Sequence, residues 1–383
     1  MWTYQAQLGI NPFIEIIDTT ERLTKLAGEL MHAKEISFDT EYDSFKREYG
    51  FKLLLLQIFD GKKVYLIDPL SMPDLNPLAP VFANNQVCKI LYSGSEDISM
   101  LRRINISVEN IFDVQIAATL CNKSARNLSD LIATELDVQL DKTQQTSDWR
   151  VRPLSDDQVL YAANDVIHLI ELKQLLIGPV AERNLMNVLE EENLALELIP
   201  EREHVPKLKP SYYKTFPQAY CDSLLALMEL RDKIAQKFNM PPVRVVDTRF
   251  LEEALMSKEN FLKTGAFKSF HPRIRNSAKL QSEFIEIIEK YDPTNLAKKP
   301  REPYSADTAA ARPLSKDEQQ IIIQEQYEPV KQQILERFGE LTSEYLLRGL
   351  KKELVTTYST KKEFRKYQQE LLDMMKEGKP VVW

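Results

Sequence analysis

Cysteine is scarce in this chain of 383 residues: Cys88, Cys121 and Cys221 are odd in number and far apart. That spacing offers no disulfide framework and no zinc-ligand pattern, and it suits reduced thiols. No apolar run approaches the ~18 residues of a membrane span, and Met1-Trp2-Thr3-Tyr4 lacks the basic start and apolar stretch of a secretory leader. A cytoplasmic protein without membrane contact is the expectation. Basic charge is short in the first half: residues 1–200 hold 18 Lys/Arg against 30 Asp/Glu (net −12), residues 201–300 hold 18 against 13 (net +5), and residues 301–383 hold 14 against 14. Acids are missing altogether from Phe261 to Ser282. The middle segment thus offers a basic surface for phosphates, while the first half offers carboxylates for cations.

What is present begins with Ile36-Ser37-Phe38-Asp39-Thr40-Glu41, an apolar strand ending in two acids two residues apart. Successive strand side chains alternate between faces, so Asp39 and Glu41 share one. Carboxylates that close repel unless neutralised, and hard divalent cations neutralise them with oxygen ligands, although a solvated loop start looks the same. Phe51 to Phe59 is a nearly unbroken apolar run carrying Gln57. The Asp60-Gly61 turn and Val64 to Pro69 complete a hairpin signal, which makes the first three strands neighbours. Val87 to Tyr92 reads as a buried strand, and Ser93 to Asp97 as the turn into a helix through Arg103. An Asp at a helix start also satisfies free N–H groups, which is the plain alternative for Asp97. Ile111-Phe112-Asp113 leads into a helix over Val114 to Leu120. Ser155 opens a further helix in which Tyr161 and Asp165, four apart, project from one face.

Taken together these strings resemble the ribonuclease D family of the DEDD exonuclease superfamily, tyrosine subtype. The resemblance lies in Phe38 to Glu41, Leu55-Leu56-Gln57-Ile58, Tyr65 to Leu70, Ser95-Glu96-Asp97, Leu140 to Trp149, and Arg152 to Ser155 on to Tyr161-Ala162-Ala163-Asn164-Asp165-Val166, over roughly residues 15 to 175. It implies an α/β, ribonuclease H-like mixed-sheet domain over residues 1–200. It also implies a metal set of Asp39, Glu41, Asp97 and Asp165 holding two divalent ions, Mg²⁺ or Mn²⁺, with Tyr161 orienting the attacking water. A phenol near its usual pKa of about 10 is a poor base at neutral pH, so Tyr161 is cast as a hydrogen-bonding positioner. Tyr92 stands where the family often has His, Asn164 where Ala is usual, and Val114 where Thr is common. None of these is an implied ligand. Asp113, followed by Gln115, is expected to support the fold, and His168 lies one turn beyond Asp165.

Pro- and charge-rich stretches near Glu197 to Pro210 and Asp292 to Pro313 read as linkers. Between them, residues 211–292 resemble the helicase-and-ribonuclease-D C-terminal (HRDC) domain, in Leu230-Arg231-Asp232-Lys233-Ile234-Ala235 and Pro241-Pro242-Val243-Arg244-Val245-Val246. Lys263, Lys268, Arg273, Arg275 and Lys279, interleaved with Phe267, Phe270 and His271, suit backbone tracking with base stacking, against the alternative of a solvated face over core aromatics. Residues 313–383 have helical spacing, and Leu341 to Arg348 faintly resembles a degenerate second copy, giving two all-α HRDC-like domains after the first. The activity implied is stepwise 3′→5′ hydrolysis of single-stranded RNA ends, tRNA precursors among them, to 5′-mononucleotides. A DNA-directed exonuclease of the same superfamily would use the same four acids, and a non-catalytic RNA-binding scaffold would be expected to have lost some of them.

Overall fold

Apolar runs closed by turn residues build six strands: β1 (Phe13–Ile17), β2 (Glu35–Ser44), β3 (Phe51–Phe59), β4 (Lys63–Ile67), β5 (Cys88–Leu91) and β6 (Ile111–Asp113). The computed structural model describes residues 13–124, 127–141, 143–201, 204–264, 267–292, 314–355 and 364–381. The chain start at Met1 and the linker from 293 to 313 lie outside these described residues. The strands hydrogen-bond in the order β1-β4-β3-β2-β5-β6. The sheet is mixed, because β4 runs parallel to β1 and antiparallel to β3, while β5 runs parallel to both β2 and β6.

Leu53 to Phe59 of β3 are all buried, as a central strand covered on both faces must be, which explains the apolar run that only Gln57 interrupts. The hairpin to β4 turns at Gly61, φ +88°. There Asp60 Oδ1 accepts from the N–H groups of Lys62 and Lys63 at 2.8 and 2.7 Å. Strand β1 is an element the sequence reading omits: it is five residues long, carries Glu15, and leaves Ile16 42 % exposed. The helix Asp156–Ile167 starts at a reciprocal cap, in which Gln158 N–H donates to Ser155 Oγ (3.2 Å) and Ser155 N–H to Gln158 Oε1 (3.0 Å).

The chain forms two compact units. One comprises the described residues of Met1–Tyr42, Leu53–Glu201 and Ala310–Trp383, and the other those of Asp43–Lys52 and Arg202–Ala309. In the first unit, the C-terminal helices Glu328–Phe338, Glu340–Leu346, Leu350–Leu354 and Lys366–Glu377 share one core with the helices Val114–Leu120, Leu169–Glu182 and Met186–Glu197. Ile334, Phe338, Leu346, Leu350 and Leu371 are buried in it with Leu120, Leu172, Leu176 and Leu189. The described residues of the segment 313–383, expected as a helical domain that shapes a funnel or packs against the catalytic domain, bury their apolar faces against the helices of the first region.

Gly339 makes this docking possible. Its φ is +81° and a Cβ placed there would stand 2.3 Å from Asn122 Nδ2. Beside it Leu341 N–H donates to Asn122 Oδ1 at 3.0 Å and Thr342 Oγ1 to the Thr119 carbonyl at 2.8 Å. Gly339→Ala is expected to destabilise the protein by about 1–3 kcal/mol, the range for a non-glycine residue forced into such a backbone region, read as a lower midpoint in urea.

In the second unit, the helices Gln218–Lys237, Thr248–Met256 and Ala278–Lys290 enclose a core of Leu224, Leu227, Ile234, Leu251, Phe284 and Ile288. Arg231, 9 % exposed, donates to the Val246 carbonyl and Thr248 Oγ1. Phe267 and Phe270 correct one expectation: they are 3 % exposed and pack edge-on against each other and Phe284, so no base can stack on them. The apolar content of this short segment is needed to fill the core. His271 caps the turn Pro272–Arg275, its Nδ1 accepting from Arg273 N–H.

Candidate active site

Strand alternation aims Asp39 and Glu41 to one side of β2, and on that side the helix Asp156–Ile167 crosses. Ser37, two residues back on β2, is buried and donates to the Val166 carbonyl at 2.7 Å, which fixes strand and helix at that point. Small Ala162 and Ala163, fully buried, allow the close approach. As a result, carboxylate oxygens of Asp39, Glu41 and Asp165 all lie within 4.8 Å of one another.

Asp97 reaches this group by another route. It sits in the first turn of the helix Ser95–Arg103, 8 % exposed, and its Oδ1 accepts from Thr40 Oγ1 at 2.5 Å. Strand β2 thus carries two of the acids itself and holds a third through the residue between them. Nothing in the sequence marks this hydroxyl.

Electrostatics bind the four acids into one system. Burial, then the charges of Asp97, Asp165 and Glu41, raise the Asp39 pKa well above the ordinary carboxylate range. Burial and then Asp97 push Asp165 up to about 7. Burial lifts Asp97 to about 6 against the lowering effect of the Thr40 hydrogen bond. Converging, partly desolvated carboxylates are an all-oxygen donor set lacking only positive charge, which fits hard divalent cations of the magnesium class.

A cleft of about 220 Å³ opens over the acids, lined by Asp39, Tyr161 and Asp165 together with Tyr92, Asn127 and Gln145. Tyr161 packs its ring 5.9 Å from Trp149. Burial, followed by the charges of Asp165, Glu41 and Asp39, drives its phenol pKa above the usual value, so it is a neutral hydrogen-bonding group at ordinary pH. Tyr92 lies at the cleft wall, its phenol pushed up to about 12, chiefly by burial. Its signal in the sequence was the departure from the family's usual His. Gln145 lay inside the Leu140 to Trp149 string, whereas Asn127 carried no signal.

His168 is 3 % exposed, and its two ring nitrogens have no partner among the described residues. Burial lowers its pKa, keeping the imidazole neutral. The five basic residues singled out elsewhere, Lys263, Lys268, Arg273, Arg275 and Lys279, belong to the second unit and are exposed.

A family of 3′-5′ exonucleases matches residues 14–177. The ribonuclease D of Pseudomonas paraeruginosa is 31% identical over 276 residues, which is 68% of this chain and 71% of that protein. The ribonuclease D of Desulfotalea psychrophila is 33% identical over 180 residues, 46% of this chain and 48% of its own. In several such curated matches the aligned part of this chain spans about half the relative's length. Among solved structures, Escherichia coli RNase D, described as an exoribonuclease involved in structured RNA processing, superposes with a TM-score of 0.68 at 20% identity, covering 96% of this chain and 99% of that one. At that identity the likeness speaks for the fold, a mixed sheet with helices followed by a helical C-terminal region.

Proposed function

Since the chain belongs to the ribonuclease D family, we propose that it is a 3′→5′ exoribonuclease that releases 5′-mononucleotides from single-stranded RNA ends, those of tRNA precursors among them. The observation that carries this reading is the convergence of the Asp39, Glu41 and Asp165 carboxylates beneath an open cleft. Asp97 is tied to the same strand through Thr40.

Asp39, Glu41, Asp97 and Asp165 would hold the ions, two of them, Mg²⁺ or Mn²⁺. Bound there, they would supply Lewis acidity to the phosphodiester and a nucleophile at neutral pH. The protein's own part is positional. Tyr161, neutral and braced by Trp149, offers a hydroxyl to orient the attacking water rather than to deprotonate it. The cleft walls, Tyr92, Asn127 and Gln145, offer hydroxyl and amide groups to the terminal nucleotide.

Residues 211–292 serve in this reading as an HRDC-type helical domain that grips the backbone upstream of the end, and 313–383 as a degenerate copy. Lys263, Lys268, Arg273, Arg275 and Lys279 support the grip: all five are exposed, and Arg273 lies 4.9 Å over the Phe238 ring. Since Phe267 and Phe270 are core residues, the contact is electrostatic. The Lys268→Ala/Arg273→Ala/Arg275→Ala variant is expected to weaken RNA binding uniformly across sequences. The slope of log affinity on log salt should drop by about 0.7 per lost phosphate contact, measured by fluorescence anisotropy at several salt concentrations.

The deciding experiment follows a 5′-labelled single-stranded RNA beside matched DNA with Mg²⁺, Mn²⁺ or EDTA. A one-nucleotide ladder from the 3′ end, dependent on metal and stronger on RNA, is the expected result. A stronger ladder on DNA would favour the DNA-directed alternative, and binding without cleavage in either metal would leave an RNA-binding scaffold.

A further inference from the structure

Asp113 makes more bonds than a helix cap requires. Its Oδ1 accepts from the N–H groups of Gln115 (2.8 Å) and Ile116 (3.4 Å), capping the helix Val114–Leu120. The same carboxylate also reaches the turn after β5, where Ser93 N–H donates to Oδ1 and Gly94 N–H to Oδ2, each at 3.1 Å. That turn launches the helix that carries Asp97. Its backbone is unusual, with Ser93 at φ +57°. It is also tightly packed, since a Cβ on Gly94 would stand 2.2 Å from Leu91 Cδ1. Asp113 is 2 % exposed, and its own N–H donates to Asn193 Oδ1 at 3.1 Å.

Asn193 lies on the helix Met186–Glu197, and its neighbour there is one point of attachment of the C-terminal helices. Glu192, 5 % exposed, accepts from Arg348 Nη2 (2.5 Å) and Tyr367 Oη (2.7 Å), with Arg365 Nε at 3.7 Å. Hydrogen bonds therefore run from the C-terminal segment to Glu192, and from the next residue of that helix, Asn193, to Asp113 and on to the turn behind Asp97. We propose that Asp113 is a positioning residue for Asp97, and that the C-terminal helices brace it through Glu192 and Asn193. The C-terminal helices then also help to set the metal affinity of the site from outside it.

The inference rests on the metal-dependent reading above, and its test separates the two. Wild-type protein must first bind Mn²⁺, followed by titration calorimetry; a wild type that binds none and makes no ladder would end that reading itself. Asp113→Asn keeps the shape and removes one acceptor. It is expected to weaken Mn²⁺ binding about 10-fold, the low end for outer groups that orient metal ligands, and to lower kcat while leaving the KM for RNA unchanged. Glu192→Gln and Tyr367→Phe are expected to weaken Mn²⁺ about 3-fold, within the range of coupling through packed networks. Glu192→Gln should add little on top of Asp113→Asn, because both act along one path. A drop in Tm with Mn²⁺ affinity held within about 2-fold of wild type, less than the ~10-fold such groups are worth, would reduce Asp113 to a helix cap and overturn the proposal. If Asp113→Asn does not fold, Tyr367→Phe, which removes one hydroxyl, decides it: unchanged Mn²⁺ affinity overturns the brace.

Discussion

Asp39→Asn is expected to abolish RNA cleavage and, in EDTA at pH 8, to make the protein more stable than wild type. On the proposed reading, loss of activity follows from the loss of a carboxylate that would hold metal. Several kcal/mol of transition-state charge stabilisation, at about 1.4 kcal/mol per decade, correspond to a fall of about 10³-fold or more in kcat. The gain in stability has the opposite origin. Asp39 is held among the charges of Asp97, Asp165 and Glu41 in a partly desolvated cluster. Without cations this repulsion opposes folding, and an amide removes one participant while keeping the shape. A rise of about 2–4 °C in Tm, the shift that ~1 kcal/mol produces in a domain of this general size, is the expected scale. In saturating Mg²⁺ the order should reverse, because wild type gains the binding free energy that the variant lacks. Equal melting of the two proteins in EDTA would mean that the acids do not repel and have no need of a cation to offset them.

The same electrostatics fix a pH dependence whose sign can be worked out. Asp97 and Asp165 titrate near 6 and 7 in the folded protein, and Asp39 is raised as well, against about 3.9 for an unfolded Asp. Between these values the folded chain binds more protons than the unfolded one. Stability without metal is therefore fully present below pH ~4 and declines as pH rises toward ~7 as far as these groups are concerned. Metal competes with those protons, so the Mg²⁺-induced rise in Tm should be small at pH 5 and grow through pH 7. Calorimetry with and without Mg²⁺ across that range reads it directly, and a pH-independent Mg²⁺ effect would contradict it.

Much of the candidate site is legible in the chain because its signals are local. Asp39 and Glu41 share a face by strand alternation, and Tyr161 and Asp165 share one by helical spacing, so each pair is legible without tertiary knowledge. Strand β3 is legible because a strand covered on both sides is apolar along nearly all of its length. What the chain hides is non-local. The five residues of β1 pair parallel with β4, some fifty residues on, and half-exposed Ile16 blurs their alternation. The hydroxyl of Thr40 looks like any strand residue until the helix Ser95–Arg103 brings Asp97 onto it. Interleaving Phe267 and Phe270 with basic residues reads equally as a stacking platform or as core, and burial alone decides for core. Likewise, the apolar faces of the C-terminal helices say that they are covered, but not that helices from the first region do the covering.

Arg152→Met should be among the most destabilising single changes in the first unit, and the reason lies in its partner. Asp68 is 4 % exposed, and Arg152 meets its two oxygens from Nε (2.7 Å) and Nη2 (2.8 Å). The same guanidinium donates to the carbonyls of Leu54, Trp149 and Val151, fastening the stretch that carries Trp149 to the sheet. Burial alone would raise the Asp68 pKa, but the bonds from Arg152, Ser71 and Leu70 outweigh it and hold the pKa below the ordinary value. Removing the cation leaves a buried charge uncompensated, at a cost of about 3–5 kcal/mol, or a fall of about 10 °C in Tm. A lowered carboxylate pKa contributes stability above the unfolded value of about 3.9 and loses it as pH falls. The gap between wild type and Arg152→Met should therefore narrow from pH 7 toward pH 3. Asp68→Leu combined with Arg152→Met removes the stranded charge and should recover part of the loss, since an apolar pair of similar volume is often as stable as a buried ion pair. Activity should not recover with it, because the carbonyls of Leu54 and Trp149 remain without their donor and Trp149 no longer braces Tyr161. A double variant with restored Tm and restored kcat would show instead that Arg152 serves the fold alone.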